Sequence, residues 1–285
     1  MTVFLDSELS ADERNTESRF QVIPMPLERT VSYGSGTASG PEAIINASNE
    51  LERLCQGKFP CEAGIFTQPV VACDGPLPDV MERLAKCTEA AVLAGQLPVT
   101  LGGEHSLSFG AVSGVARALA QQGEGPIGIV QIDAHADLRI AYQGEPHSHA
   151  SVMNLLVEDG VKLAQFGVRA LCEQEVQSRE KFGVFYKDAE ELVTGNVFDV
   201  ALPEDFPQNV YISFDVDGID PSQMPATGTP VPGGLSYYQA LHLVENSLKG
   251  RRCVGMDIVE LAPNGDPAWD FTTAQIVYRL MAATL

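Results

Sequence analysis

Acidic and imidazole side chains follow two apolar runs of the sequence at a regular spacing. Asp133, His135 and Asp137 stand two residues apart in the segment DAHAD, and Asp215 and Asp217 repeat this spacing in DVDG. In an extended chain, side chains two residues apart point to the same side. Each segment therefore offers a set of metal ligands, or of general acids and bases, on one side of the backbone.

The charges of these side chains predict a site for two divalent cations. The four aspartates of the two segments would repel one another strongly at short range unless their pKa values rose. Two divalent cations carry enough positive charge to offset them. His135, together with His105 from the segment GGEHS, adds two imidazoles. Carboxylates suit Mg²⁺ and Mn²⁺, and imidazoles shift the preference to Mn²⁺, with Co²⁺, Ni²⁺ and Zn²⁺ as alternatives.

Two metal ions at such a site would share a water molecule, lower its pKa toward neutrality and so make it a nucleophile. Each motif also has a structural interpretation when it is taken alone. An Asp-x-Asp pair after a strand is commonly a turn or a helix cap, and Gly102-Gly103 before Glu104 could be only a tight turn. The functional interpretation is favoured because several strand ends carry such residues at once. His242, in the middle of a predicted helix, is assigned no role.

The elements that must position these residues alternate between strands and helices. Apolar runs predict strands at 19–23, 97–101, 127–132, 163–168, 183–186, 209–214 and 252–258, with a weaker one near 69–72. Amphipathic segments predict helices at 40–54, 77–95, 106–121, 148–158, 172–181, 236–248 and 272–283. The strands are apolar throughout, as in strands buried on both faces. The pattern predicts an α/β fold, a three-layer α/β/α sandwich with a central, mostly parallel sheet of about eight strands.

The polar segments lie where such a sheet places its chemistry. In open parallel sheets, ligands bind beyond the carboxyl ends of the strands. GGEHS follows the strand at 97–101, DAHAD the strand at 127–132 and DVDG the strand at 209–214, and Glu260 closely follows the strand at 252–258. We therefore expect all four segments to meet along one edge of the sheet.

The composition is strongly acidic and argues against several kinds of partner. The 285 residues include 18 Lys and Arg against 38 Asp and Glu, which gives a formal net charge of −20. Nucleic acids and anionic membranes select positive surfaces, so we expect neither as a partner, whereas a small cation would be attracted. The chain has no apolar stretch of about 18 residues and no secretory signal, so no membrane span is expected.

The cysteines and the chain organisation suggest a compartment and a domain plan. The six cysteines are scattered without a CxxC pair, which is typical of free thiols in a reducing compartment, so we expect a cytoplasmic protein. Residues 1–18 are polar and acidic and are expected to form a flexible or loosely docked leader. Residues 19–285 contain no linker, repeat or low-complexity tract, and we expect a single catalytic domain.

Four segments taken together resemble one protein family. GGEHS, DAHAD, SFDVDGIDP and DIVELAP occur in an order and at separations similar to those of the ureohydrolases, the family of arginase and agmatinase. The resemblance extends from about Pro24 to the C-terminus, and it implies an arginase-like form of the sandwich fold. It also implies two Mn²⁺ ions per subunit and a homotrimer or homohexamer.

The resemblance implies six metal ligands, which are His105, Asp133, His135, Asp137, Asp215 and Asp217. One ion would take His105 and Asp137, the other would take His135 and Asp217, and the two remaining aspartates would bridge both ions.

The resemblance also implies three catalytic roles. Asp137 would take a proton from the nucleophilic water and pass it to the leaving amine. Glu260 would hold the substrate guanidinium by a two-point, charge-assisted hydrogen bond. His149, in the segment SHASVM, would be the proton shuttle. The implied reaction is hydrolysis of a guanidino C–N bond to urea and a primary amine.

The loop between DAHAD and SHASVM bears on the substrate. Residues 138–149 form a compact loop without the Asn that binds the substrate carboxylate in arginases, and its pattern resembles that of bacterial and archaeal agmatinases. The small cationic substrate agmatine, cleaved to urea and putrescine, is therefore favoured over arginine. The resemblance leaves open N1-aminopropylagmatine, guanidinobutyrate, guanidinopropionate, guanidine and formiminoglutamate.

Two interpretations of other classes also stay open. A catalytically inactive polyamine-binding or regulatory module could keep the fold, although it would not need His149 or Glu260. A binuclear phosphoesterase would need basic groups for phosphate, and Arg139 is the only one close to the motifs. We expect Arg139 to point away into an ion pair and Glu145 to be a solvated carboxylate rather than a contact for a distal ammonium. His147 has no assigned role.

Overall fold

Eight strands form one parallel sheet in the computed structural model, which describes residues 2–285. The strands are β1 (Phe20–Met25), β2 (Ile65–Thr67), β3 (Leu97–Gly102), β4 (Ile127–Ile132), β5 (Lys162–Phe166), β6 (Phe185–Lys187), β7 (Asn209–Asp215) and β8 (Arg252–Val259). Their order is β2-β1-β3-β8-β7-β4-β5-β6, and every neighbouring pair is parallel. Segments that are remote in the chain therefore lie side by side in the centre of the sheet.

Eight α-helices within the same residues cover the two faces of the sheet. They are α1 (Gly40–Ala47), α2 (Leu77–Leu93), α3 (Ser108–Gln121), α4 (Val152–Glu158), α5 (Glu173–Phe182), α6 (Ala189–Gly195), α7 (Tyr237–Ser247) and α8 (Pro267–Ala283). One apolar core packs α1, α6, α7 and α8 against one face, and a second core packs α2, α3, α4 and α5 against the other. The predicted three-layer α/β/α sandwich is confirmed. In residues 2–285, no helix combines the length and the apolar character needed to cross a membrane.

Side chains of a central strand alternate between the two cores. In β4, Val130 and Ile132 belong to the core that includes α7 and α8, and Ile127 and Ile129 belong to the core that includes α2 and α3. Successive side chains of a strand point to opposite faces, so both sets must be apolar when helices cover both faces. This requirement explains the continuous apolar runs of the sequence.

Three of the differences between the predicted and the observed elements have local reasons. The strand expected near 69–72 is wrong, because the short strand at this edge is β2 and Pro69, which has no N–H to donate, follows it. Helix α6 was not predicted, since seven residues are too few for a helical period to show. Helix α8 begins at Pro267 rather than at 272, because the Asp266 side chain accepts the Ala268 N–H at 3.0 Å and caps it.

The first residues pack against the body of the protein. Phe4 and Leu5 have no exposed surface. The Phe4 N–H donates to Thr67 Oγ1 at 2.9 Å, and the Leu5 N–H donates to Ser48 Oγ at 2.7 Å. Two large apolar side chains are enough to dock a segment whose average composition is polar, because burying each contributes about 1.5–3 kcal/mol.

The turn after β3 needs a glycine at position 103. The Gly103 N–H donates to Met25 O at 3.0 Å and the Glu104 N–H donates to Leu27 O at 2.8 Å, so the turn lies directly against the backbone that follows β1. A Cβ at position 103 would overlap the Leu27 carbonyl. The backbone has no flexible side-chain end that could give way there, so the close approach requires glycine.

The substitution Gly103→Ala should therefore destabilise the fold by about 1–3 kcal/mol, as overpacking commonly does. It should also weaken metal binding, because the turn carries His105. Urea unfolding and metal analysis of the purified variant measure both effects. The matched control is Gly125→Ala, where an added Cβ meets nothing within 4 Å. Equal free energies of unfolding for the two variants would contradict the prediction.

Candidate metal centre and active site

The six predicted ligands and Glu260 lie together at the carboxyl edge of the central strands. They are His105 after β3; Asp133, His135 and Asp137 after β4; Asp215 and Asp217 at the end of β7; and Glu260 after β8. The four strands that carry them are neighbours in the sheet, in the order β3-β8-β7-β4. The parallel arrangement thus brings together segments that are far apart in the sequence.

His105 lies at the centre of a first group of carboxylates. Its Nδ1 atom is 3.1 Å from Asp133 Oδ2, 3.1 Å from Asp137 Oδ2 and 3.3 Å from Asp215 Oδ2. All four side chains are buried. One imidazole nitrogen and three carboxylate oxygens therefore converge on a single point.

His135 lies at the centre of a second group beside the first. Its Nδ1 atom is 3.0 Å from Asp217 Oδ2 and 3.6 Å from Asp133 Oδ1. The ligand atoms of this group, and those of His105, Asp133 and Asp215 in the first group, each lie within 4.8 Å of one another, which suits a metal ion. Asp133 belongs to both groups through its two oxygens, so the geometry is that of two adjoining cation sites.

The orientation of His105 fits a metal ion at its Nδ1 atom. Ser213 Oγ donates to Asp257 Oδ1 at 2.8 Å, and His105 Nε2 lies 2.8 Å from the same Ser213 Oγ. Since the serine has only one hydrogen, the Nε2–H of His105 must donate to it. The Nδ1 atom of a neutral ring then presents a lone pair to three carboxylates and has no hydrogen-bond partner within residues 2–285. A divalent cation satisfies this arrangement.

The carboxylates of Asp133 and Asp215 are held in place by hydrogen bonds from neighbouring side-chain and backbone donors. Asp133 Oδ2 accepts from Gln131 Nε2 at 2.6 Å, and Asp133 Oδ1 accepts the His135 N–H at 2.6 Å. Asp215 Oδ1 accepts the Asp217 N–H at 2.8 Å. Such contacts fix the direction of the remaining lone pairs, so the ligand atoms are preorganised before an ion binds.

Two residues of the site have left-handed backbone conformations. The φ angle is 52° at Asp137 and 66° at Glu260. These conformations are uncommon outside glycine, cost about 1–3 kcal/mol each and cluster at functional sites. The expectation that DAHAD aims its side chains by simple alternation is therefore wrong for Asp137. Strand β4 ends at Ile132, and a left-handed residue aims this carboxylate at His105.

Burial and crowding make the cluster retain protons when no cation is bound. Burial, followed by the charge of Asp133, raises the pKa of Asp137 to about 7. Burial, followed by the charges of Asp217 and Asp133, raises the pKa of Asp215 well above its ordinary value. Burial lowers the pKa of His105, but the surrounding carboxylates outweigh it and raise that pKa well above its ordinary value.

Metal binding should therefore release protons, because ligands coordinate in their deprotonated forms. Since the Asp137 pKa lies at about 7, protons should compete with the metal more strongly as the pH falls below 7, and the affinity should fall with it. Calorimetric titration of Mn²⁺ into the metal-free protein, near pH 6 and pH 8 and in two buffers of different ionisation enthalpy, measures both effects. The control His242→Asn, which removes an imidazole paired with Asp199 at the surface, should leave them unchanged. The prediction would be contradicted if the heat of Mn²⁺ binding were the same in both buffers and the Mn²⁺ affinity were the same at both pH values.

A cavity of about 350 Å³ opens onto the cluster and is lined by all three predicted catalytic residues, Asp137, His149 and Glu260. Glu260 is only 8% exposed, and its Oε1 atom accepts the His105 N–H at 2.7 Å. Burial raises the pKa of Glu260 to about 8. A cation bound in the cavity would favour the ionised form of this carboxylate.

The loop residues without a settled role line two different cavities. Arg139 lines the cavity wall, but its Nε atom lies 4.0 Å from Glu175 Oε2 and its guanidinium lies 5.6 Å from the centre of the Tyr142 ring. It is therefore paired, as expected, yet it does not point away from the site. Glu145 and His147 lie in a neighbouring cavity, and Glu145 Oε1 accepts the His147 N–H at 2.8 Å.

Sequence reasoning missed the residues that orient the ligands. Gln131 and Ser213 each stand two residues before an aspartate of the cluster, and Asp257 stands three residues before Glu260. All three are fully buried polar residues inside otherwise apolar strands. A buried polar group needs a partner, so a polar residue inside an apolar strand just before a site residue is the signal that could have found them.

Comparison with known sequences identifies the family. A sequence model described as the arginase family matches residues 18–285. The N(1)-aminopropylagmatine ureohydrolase of Synechocystis sp. is 35% identical over 292 residues, which cover 98% of this chain and 92% of that protein. The protein of the same name from Thermus thermophilus is 38% identical over 266 residues, which cover 92% of this chain and 89% of that protein.

Comparison with solved structures finds the same fold in a member of this family. The crystal structure of the agmatine ureohydrolase of Thermoplasma volcanium has a TM-score of 0.84 and 26% sequence identity, and the match covers 100% of this chain and 94% of that one. The expected arginase-like fold is confirmed. This chain is a member of the arginase family, the ureohydrolases that cleave C–N bonds of guanidino groups.

Proposed function

We propose that this protein hydrolyses the guanidino group of a linear guanidino amine, agmatine or N1-aminopropylagmatine, to urea and an amine. The observation that carries the proposal is that the buried Glu260 carboxylate and the candidate metal cluster face the same cavity. A guanidinium is planar and donates parallel pairs of hydrogen bonds, which a carboxylate accepts with fixed geometry. Glu260 would thus present the guanidinium carbon to the cluster.

The cluster is proposed to hold two Mn²⁺ ions through the six residues named above. A donor set of carboxylates with two imidazoles suits Mn²⁺ better than Mg²⁺ or a thiolate-preferring metal. When bound, such a pair supplies Lewis acidity and makes water a nucleophile near neutral pH. Asp133, which contacts both histidines in the structure, and Asp215 are proposed to bridge the two ions.

Asp137 and His149 are proposed to move the protons of the reaction. An amine leaves a tetrahedral carbon readily only when it is protonated, so the reaction needs a proton donor beside the leaving nitrogen. Asp137 lines the cavity beside the cluster, and its carboxylate would take a proton from the nucleophilic water and pass it to the leaving nitrogen. His149 lines the same cavity and would exchange the proton with the departing amine and solvent.

Two observations support a substrate without a carboxylate. Arg139 is the only Lys or Arg among the described residues that line the cavity, and it already faces Glu175 and Tyr142. A substrate carboxylate would therefore lack a free cation. The relatives at 35% and 38% identity are named for N(1)-aminopropylagmatine, and the structural relative is named for agmatine. The loop pattern favours agmatine, and the names of these relatives make N1-aminopropylagmatine, one of the alternatives left open by the sequence, an equal candidate.

A urea-release assay with the Mn²⁺-loaded protein tests the proposal. The panel consists of agmatine, N1-aminopropylagmatine, arginine and 4-guanidinobutyrate, compared by kcat/KM. At least one of the first two should exceed both carboxylate compounds by about 100-fold or more, because an unpaired buried charge costs several kcal/mol. Preference for arginine would contradict the substrate class, and urea release from none of the four would favour the non-catalytic binding module.

Three expectations beyond the chemistry stay predictions of this proposal. They are a cytoplasmic location, assembly as a homotrimer or homohexamer, and a leader of residues 1–18 ahead of a single catalytic domain of residues 19–285. Sedimentation of the purified protein tests the second, and a truncation that removes residues 1–18 tests the third.

A further inference from the structure

A threonine from the loop after β1 lies between two residues of the site. Thr30 Oγ1 is 2.9 Å from Glu104 Oε1 and 3.2 Å from His149 Nδ1. The His149 backbone N–H also donates to Thr30 Oγ1, at 3.0 Å. One hydroxyl group therefore connects a carboxylate next to the metal cluster with the imidazole of the cavity, across 119 residues of sequence.

The Glu104 carboxylate is buried and is surrounded by hydrogen-bond donors. It has no exposed surface. Its Oε2 atom accepts the backbone N–H groups of Arg29 and Thr30, and its Oε1 atom accepts from the hydroxyls of Ser106, at 2.5 Å, and Thr30. All four groups donate, and the two carboxylate oxygens accept. The hydrogen of the Thr30 hydroxyl must therefore point to Glu104.

This direction of the hydroxyl hydrogen determines which nitrogen of His149 carries the proton. Since Thr30 Oγ1 gives its only hydrogen to Glu104, it can only accept from the His149 ring, and Nδ1 must be the protonated nitrogen. Nε2 is then the nitrogen with a free lone pair. The Tyr142 ring packs edge-on against the imidazole, with 5.5 Å between the two ring centres, and limits its rotation.

We propose that Thr30, held in place by Glu104, is a positioning residue that fixes the tautomer and the orientation of His149, so that Nε2 is the atom that accepts and returns the proton. The proposal rests on the function proposed above for its kinetic consequence. A general base must present a lone pair at the atom that meets the proton. Holding a catalytic histidine in the wrong tautomer can cost about 10⁴-fold in rate.

The kinetic test replaces the hydroxyl by a methyl group in Thr30→Val. We expect kcat of the Mn²⁺-loaded enzyme to fall by about 10²-fold, the lower end of the range for general acid–base catalysis. KM and the metal content should change little, because the Thr30 hydroxyl forms its hydrogen bonds with Glu104 and His149 rather than with a cluster ligand or Glu260. Thr30→Ser, which keeps the hydroxyl, should restore most of the rate. The control Thr88→Val removes a buried hydroxyl that donates to Ala111 O outside the site, and kcat should be unchanged.

The tautomer is measured directly by NMR of the full chain, labelled with ¹⁵N in the histidine rings and free of paramagnetic Mn²⁺. Burial lowers the pKa of His149 against the opposing charge of Glu104, so the neutral ring is observable near pH 8. We expect a protonated Nδ1 and an unprotonated Nε2, assigned by their loss in His149→Asn, and a shift toward the other tautomer in Thr30→Val.

An Nε2-protonated His149 in the unsubstituted protein would overturn the proposal. It would also be overturned if Thr30→Val kept both the tautomer and kcat, or if Thr30→Ser were as slow as Thr30→Val. The NMR measurement needs no substrate and no turnover. A protein that showed the expected tautomer but released no urea would therefore refute the proposed function and not the positioning by Thr30.

Discussion

The substitution Glu260→Gln should lower kcat/KM for urea release by about 10²- to 10⁴-fold while the protein keeps its full metal content. The expected loss corresponds to about 3–5 kcal/mol, the cost of removing one partner of a buried charge pair. The glutamine keeps an oxygen that can accept the His105 N–H, which now donates to Glu260 Oε1 at 2.7 Å. The turn that carries His105 should therefore stay in place, and only the charge that meets the guanidinium is lost.

Urea assays combined with elemental analysis of the same samples measure this prediction. The matched control is Glu245→Gln on α7, where the carboxylate accepts from Arg279 at 3.1 Å outside the cavity, and both activity and metal content should be unchanged. If Glu260→Gln lost its metal together with its activity, Glu260 would be a part of the metal centre rather than the substrate contact. If it kept full activity, the guanidinium would have to bind elsewhere. A phosphatase activity that survives this substitution would support the phosphoesterase interpretation.

The substitution Asp215→Asn should strongly weaken binding of the metal pair and lower activity by at least about 10³-fold. Asp215 Oδ2 lies 3.3 Å from His105 Nδ1, and its Oδ1 accepts the Asp217 N–H at 2.8 Å. Asparagine can keep the second contact but offers no negative charge to the cations. Because the proposed role of Asp215 is to bridge both ions, both should bind more weakly.

In the protein without metal, the same substitution should not lower the free energy of unfolding. Burial and the neighbouring carboxylates raise the pKa of Asp215 in the folded state. A carboxyl whose pKa is raised by folding loses stabilisation as the pH rises from its unfolded value through its folded value. Near pH 8, the metal-free Asp215→Asn protein should therefore be at least as stable as the unsubstituted one. With Mn²⁺ at about 1,000 times its Kd, the unsubstituted protein should gain about 4 kcal/mol that the variant does not.

Thermal unfolding in the presence of Mn²⁺ and of EDTA measures this reversal. The control Asp199→Asn removes an exposed carboxylate that pairs with His242, and it should leave the Mn²⁺-dependent rise in Tm unchanged. Two ions retained by Asp215→Asn, or a metal-free variant that is clearly less stable, would show that Asp215 serves the fold rather than the ions.

Much of the fold and the chemical identity of the site could be predicted from local sequence. Helix α6 was not predicted, because it comprises only seven residues. The strand ends at Ile132 and Asp215 were recognisable since a strand buried on both faces must be apolar, so the first acidic residue marks the sheet edge. The types of side chain at these ends then implied the kind of ion and the reaction.

The order of residues along the chain was sufficient for the class of fold, the ligand types and the family, because apolar period and functional-group chemistry are properties of short segments. The order of residues was not sufficient to predict which ring nitrogen of His105 or His149 carries the proton. Ser213 and Asp257 reach His105 only because β7 and β8 pair in register, and Thr30 reaches His149 only because β1 and β4 end at one edge of the sheet. Such contacts depend on which remote segments the sheet brings together, and the direction of a hydrogen bond depends on every donor and acceptor around it.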